Sequence, residues 1–203
     1  MKLFHCSNAR SLRPLWTLEE LGLEYELITL PFPPRYLAKE FLEVNPLGTV
    51  PCFIDEGVNM TESAGICQYL VEKYGPTPLA VERDEVDYPS YLNWLHRSDA
   101  TLTFPQTLVL RYTRLEPEEK RNPQVASDYR KWFLGRLRSV EAALENKEYL
   151  CSDRFTIADI AIVYSLVLAK SLDIDEAFTP NIQAYWDRTT VRPAFQRVYD
   201  QPE

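Results

Sequence analysis

Two short segments constrain this chain more than any others: Asn45-Pro-Leu-Gly-Thr-Val-Pro-Cys-Phe-Ile54 and, soon after it, Met60-Thr-Glu-Ser-Ala-Gly-Ile66. The first reads as a buried strand from Cys52 to Ile54, preceded by proline and followed by a short acidic turn. Pro51 has no N–H for a ladder, and a cis bond before it comes at modest cost. A cis bond there turns the Val50 N–H and C=O outward, where an extended peptide can pair with them as an added strand. The second segment is a short strand running into Thr61-Glu62-Ser63, at the start of an amphipathic helix. Unsatisfied N–H groups and the helix dipole favour a carboxylate at such a start. Two backbone bonds beside an anion-binding helix end suit a small acidic peptide.

The rest of the N-terminal half fits around these segments. Lys2 to Cys6 reads as a first strand. Asn8 and Ser11 are candidate caps for a helix carrying Leu12, Leu15, Trp16 and Leu21, with Gly22 as its stop. Tyr25 to Leu30 reads as a second strand, parallel to the first if the helix is a crossover. Pro31-Phe-Pro-Pro breaks regular structure, and Arg35 to Glu43 reads as one irregular helix. With the helix Ser63 to Tyr74 the order becomes βαβ–ββα, a thioredoxin-like arrangement with a mixed four-stranded sheet. This α/β domain spans residues 1–76, and 77–86 read as a linker interrupted by proline.

Residues 87–203 read as an all-helical domain. Asp87 to Tyr112 is a helix that Pro105 should bend, and Asn122-Pro123 breaks before a second long helix from Val125 to Glu145. Thr156 and Asp159 form a capping box, and the following helix, Ile160 to Ala169, is apolar almost all round and therefore central. Pro180 and Pro193 begin two short final helices.

The pairing of Asn-Pro-x-Gly-x-Val-Pro with Thr-Glu-Ser-x-x-Ile resembles the glutathione transferase superfamily, in its cytosolic bacterial or fungal form. The Thr156-x-x-Asp159 element is similar to a structural one in that family. The order of an α/β half, a linker and a helical half extends the resemblance over nearly the full chain. It implies glutathione as co-substrate, a small hydrophobic electrophile as second substrate, and a homodimer. Composition agrees: 22 basic against 30 acidic residues give a net charge of −8, which argues against nucleic acid or an anionic membrane as partner. The start lacks a signal peptide's apolar core, no run is long enough to cross a bilayer, and four scattered cysteines with two histidines suggest neither a metal site nor disulfides. A reduced cytoplasmic protein is the expectation.

The chemistry the resemblance implies is ionisation of a thiol whose ordinary pKa is about 8.5. Donors at the turn between first strand and first helix would lower it. In relatives a Tyr, Ser or Cys stands a few residues before an arginine resembling Arg13; here that place falls on Asn8 or Ala9, with Ser7 and Ser11 on either side. Asn8, Ser7 and Ser11 are therefore the candidate donors, and Arg10 can add positive charge. The resemblance assigns Glu62 and Ser63 to the γ-glutamyl end and Val50, with Thr49, to the cysteinyl backbone. It assigns Tyr36 and Lys39 to the glycine carboxylate and Asp99 to a contact made across a dimer interface. Thr101, Phe104, Pro105, Leu108 and Tyr112 are candidates for an apolar substrate wall. Two alternatives stay open: thiol transfer through Cys6, though a buried inert cysteine is the plainer reading, and a non-catalytic glutathione-binding or scaffold member.

Overall fold

The apolar start of the chain forms a strand, β1 (Lys2–His5), that lies inside a four-stranded sheet. The structure is a computed structural model and describes residues 1–199. Helix α1 (Leu12–Leu21) crosses over to β2 (Glu26–Thr29), which pairs parallel to β1 in the register Phe4 opposite Ile28. Gly22 ends α1 in a left-handed conformation at φ 63°, its N–H donating back to Glu19 and Leu18. β3 (Cys52–Asp55) lies antiparallel on the other side of β1, and β4 (Val58–Met60) completes the order β2-β1-β3-β4. α4 (Ser63–Lys73) follows. This is the mixed sheet and βαβ–ββα order expected from the sequence.

The segment expected as one irregular helix instead forms two single turns, α2 (Pro34–Leu37) and α3 (Phe41–Val44). Ala38 leaves helical geometry at φ −134°, ψ 71°, and its methyl is buried with Phe4, Phe41 and Cys52 in a cluster on one sheet face. Burial of that small side chain decides the break. The Phe4 and Phe41 rings lie 5.1 Å apart in the same cluster. Elsewhere in this unit α1 packs against α4, with Leu15, Trp16, Leu18, Ile66 and Leu70 fully buried.

At the β3–β4 turn, Asp55 accepts hydrogen bonds on one carboxylate oxygen from Tyr69, Lys73 and Tyr74 at 2.8, 3.0 and 2.5 Å. Burial would raise its pKa, but these donors outweigh burial and hold it down to about 2.

The chain divides into two compact units, and the first comprises residues 1–80 together with the segment that begins at Thr190. The final helix, α10 (Pro193–Tyr199), packs on α1. Phe195 meets Trp16 edge-on at 4.7 Å, and Arg192 makes a two-pronged ion pair with Glu20 at 2.7 Å on each arm. Arg197 donates to Glu19 at 2.5 Å.

The second unit, Val81–Thr189, is helical. α5 (Tyr88–Arg97) runs through a widened π turn, Ser98–Thr103, into α6 (Phe104–Leu110). The distortion expected from Pro105 is thus taken up by the preceding turn. A proline ring clashes with the carbonyl four residues back in regular helix, and widening removes that clash. The Thr103 hydroxyl and the Gln106 amide donate to the Ser98 and Leu102 carbonyls at 2.6 and 3.1 Å, serving acceptors around the widened turn. α7 (Pro123–Ala143) starts at the Asn-Pro pair: Asn122 Oδ1 accepts from the Val125 N–H at 3.1 Å and Pro123 occupies the first turn.

α8 (Ile157–Ser171) is buried at every position from Ile157 to Ala169. Its capping box forms as expected, and fully buried Asp159 also accepts from Leu150 N–H and Tyr185 O–H at 3.0 and 2.9 Å. α9 (Pro180–Thr190) follows. Among the described residues no helix is long and apolar enough to cross a membrane.

Candidate functional site at one end of the sheet

Strand directions gather the candidate segments at one end of the first unit. β1 and β2 run parallel, so the turn after His5 and the loop after Thr29 leave by the same end. β3 runs antiparallel to β1, so its start, with Val50-Pro51 just ahead, lies at that end too. The register Phe53 opposite Met60, carried past β4, brings Glu62-Ser63 back to the same place. The turn 6–11, the Val50 peptide, the α4 start and the segment after β2, which leads to Tyr36 on α2 and Lys39 beyond it, therefore leave the sheet at one end.

The Asn45 segment is built to present its backbone. Buried Asn45 donates from its amide to the Thr49 carbonyl at 2.8 Å and accepts from the Leu47 N–H at 3.1 Å, clamping the loop. Gly48 sits at φ +60°, and a methyl there would stand 2.7 Å from Arg35 Cβ and 2.8 Å from Leu42. The Val50-Pro51 bond is cis. Among the described residues neither the N–H nor the C=O of half-buried Val50 is hydrogen-bonded.

Ser63 is 1 % exposed and accepts a hydrogen bond from Arg13 Nη1 at 2.9 Å. Arg13, fully buried on α1, thereby brings a guanidinium to the first turn of α4. Sequence reasoning used Arg13 only as a marker of position. Its signal was weak because a buried cation looks no different in sequence from a surface one. Glu62 is exposed and extended at the helix boundary, its carbonyl accepting from the Ile66 N–H at 2.8 Å.

The turn after β1 separates its candidates. Ser11 is fully buried: its Oγ accepts from the Cys6 N–H at 3.2 Å and lies 2.8 Å from His5 Nδ1. It ties strand end to helix start and makes no capping bond. His5 is buried with it, and desolvation lowers its pKa to about 4, so it is neutral near pH 7. Asn8 is exposed, in the left-handed region at φ 56°. Ser7 is half-buried, and its hydroxyl has no partner among the described residues. Arg10 is half-buried in the same turn. Cys6 has no exposed surface, and burial pushes its thiol up to about 12.

Tyr36 is 69 % exposed and Lys39 is exposed, with no partner for the Lys39 ammonium among the described residues. Asp99 belongs to the helical unit, half-buried in the π turn. Phe104 is exposed and meets the Tyr129 ring edge-on at 6.4 Å, whereas Pro105 is buried.

Two family models match, the glutathione S-transferase N-terminal domain over residues 1–72 and the C-terminal domain over residues 107–193. Glutathione S-transferase GstA of Escherichia coli O157:H7 is 29% identical, over 97% of this chain and 96% of that protein. Glutathione S-transferase 3 of Schizosaccharomyces pombe is 27% identical, over 98% and 88%. Among solved structures, BphK, a bacterial GST in a ternary complex, superposes with a TM-score of 0.86 at 29% identity, covering 98% of each chain. Ure2p5 from Phanerochaete chrysosporium, cocrystallized with 1-(S-glutathionyl)-2,4-dinitrobenzene, superposes with a TM-score of 0.82 at 26% identity over 97% and 91%. Fold, both domain models and near full-length relatives agree: the chain belongs to the glutathione S-transferase superfamily, enzymes that conjugate glutathione.

Proposed function

We propose that this enzyme binds reduced glutathione at that end of the sheet and joins its sulfur to a small hydrophobic electrophile. The observation that carries the reading is the unpaired Val50 peptide at the same end of the sheet as the Arg13–Ser63 helix start. In this reading the Val50 N–H and C=O pair with the cysteinyl backbone of glutathione as a short added strand. The γ-glutamyl carboxylate lies at the first turn of α4, where Ser63, held by Arg13, and the helix N–H groups meet it. Glu62 accepts from the γ-glutamyl ammonium, Lys39 and Tyr36 attend the glycine carboxylate, and Thr49 supports the clamped loop. Asp99 is proposed only as a contributor from a second copy in a homodimer, which the family leads one to expect.

The thiol then sits at the turn 6–11, with the Ser7 hydroxyl and the Asn8 amide as proposed donors to the thiolate and Arg10 as a nearby positive charge. Each unit of lowered pKa is worth about 1.4 kcal/mol in favour of the thiolate. With an aryl halide such as 1-chloro-2,4-dinitrobenzene the thiolate forms the S–C bond, chloride leaves with the C–Cl electron pair, and no redox change occurs. The conjugate bound by Ure2p5 supports that substrate class. Inert burial of Cys6 weighs against thiol transfer through it. The four described cysteines are free and buried, in keeping with a reducing cytoplasm.

The test is calorimetry with glutathione, recording the thiolate ultraviolet band on the same complex near pH 7. Saturable binding with that band is expected, and Ser63→Ala should weaken binding about tenfold, equivalent to one lost charge-assisted hydrogen bond. Binding without the band would leave a carrier or scaffold. Absence of binding would remove the site assignment.

A further inference from the structure

Glutathione carries two carboxylates, and in the placement proposed above the γ-glutamyl one lies at the α4 start and the glycine one at Lys39. The segment that carries Lys39 holds one cation more. Arg35 is exposed on α2, and neither it nor Lys39 has an ion pair or a hydrogen-bonded side-chain partner among the described residues. Glu40 and Glu43 are exposed on the same segment and pair with neither. Two free cations stand out on a chain whose net charge is −8.

Arg35 is set against the loop that offers Val50. A methyl on Gly48 would stand 2.7 Å from Arg35 Cβ and 3.2 Å from its Cα, so the root of the Arg35 side chain lies on Gly48, two residues before the open peptide. Its guanidinium thus starts from a fixed base beside the place where an added strand would pair. Arg35 and Lys39 are four residues apart, which keeps their Cα atoms within about 14 Å of each other.

The linkage of a longer ligand decides what the second cation can meet. An α-linked residue added after glycine turns the glycine carboxylate into an amide. A γ-linked glutamyl residue in place of glycine keeps a free α-carboxylate on the carbon next to the amide nitrogen, where glycine carries its own. The chain then continues through the γ-carbon and ends, a cysteine and a glycine later, in another carboxylate about 10 Å further on, or three residue lengths.

We infer that, given the placement of glutathione on Val50, the same site also takes γ-linked oligomers of γ-glutamylcysteine, acidic thiol peptides longer than glutathione. The inner α-carboxylate meets Lys39, and the terminal carboxylate meets Arg35.

The probe is γ-glutamylcysteinyl-γ-glutamylcysteinylglycine, titrated calorimetrically beside glutathione into the full-length protein with a phosphine reductant present. The longer peptide should bind about three- to fivefold more tightly than glutathione, the scale of one exposed charge pair, and the gain should shrink at high salt. Arg35→Gln, which keeps the Cβ over Gly48, should remove the gain and leave glutathione affinity unchanged. Lys39→Gln should weaken both peptides alike. The α-linked control, γ-glutamylcysteinylglycylglycine, should bind no more tightly than glutathione. A longer peptide that binds no better than glutathione, a gain that survives Arg35→Gln, or an equal gain with the α-linked control would overturn the proposal and leave the glutathione site standing. Failure of both glutathione and the longer peptide to bind would remove the site assignment and the proposal together.

Discussion

Ser7, Asn8 and Ser11 share one turn, and Ser11 has its hydroxyl committed to the buried strand end, accepting from the Cys6 N–H and hydrogen-bonded to His5 Nδ1. Removing a donor to a bound thiolate should raise the thiol pKa by about one unit, a tenfold loss of thiolate. Ser7→Ala and Asn8→Gly, the latter chosen to keep the left-handed backbone, test this by pH titration of the thiolate band. The expected outcome is a raised pKa in at least one variant; an unmoved pKa in both would rule out these donors. Ser11→Ala should instead lower stability with little change in that pKa. Asp55 gives a second prediction. Its folded pKa of about 2 lies below the ordinary value of about 3.9. The carboxylate therefore stabilises the fold at pH above about 4, and this contribution is lost as pH falls towards 2. Thermal unfolding between pH 4 and pH 2 should decline more steeply in the parent protein than in Asp55→Asn.

Asp159 is the strongest case for an element-level effect, because one buried carboxylate serves the α8 cap, the Leu150 peptide and the Tyr185 hydroxyl. Asp159→Ala leaves those donors buried and unpaired. The expected cost is about 2–4 kcal/mol, or roughly 5–15 °C in Tm, read by calorimetric melting. Turnover measured well below the melt should change little. The α8 cap was legible in sequence because Thr-x-x-Asp before an apolar run depends only on local spacing. The strands were legible for a similar reason, short apolar runs bounded by proline and glycine. The break at Ala38 and the π turn before Pro105 were not, since both answer to packing: a buried methyl in one case, ring clearance in the other. The same division runs through the site. Val50 and Ser63 announce themselves by motif, whereas Arg13 is defined by a hydrogen bond 50 residues away and Ser11 by burial against His5.

The division into two compact units does not follow chain order: α10 packs with the first unit, on Trp16 and Glu19 of α1. Truncation after Arg192 should uncover Trp16, shifting its fluorescence to the red and costing about 3–5 kcal/mol, the scale of losing a buried aromatic. An unchanged melt and spectrum would show that α10 is dispensable. Synthesis gives this arrangement a temporal meaning. At about 5–20 residues per second the ribosome needs roughly 5–20 s to make the intervening segment from Val81 to Thr189. Throughout that interval the first unit waits without α10, so the segments on both sides of Val81–Thr189 must be translated before that unit is whole.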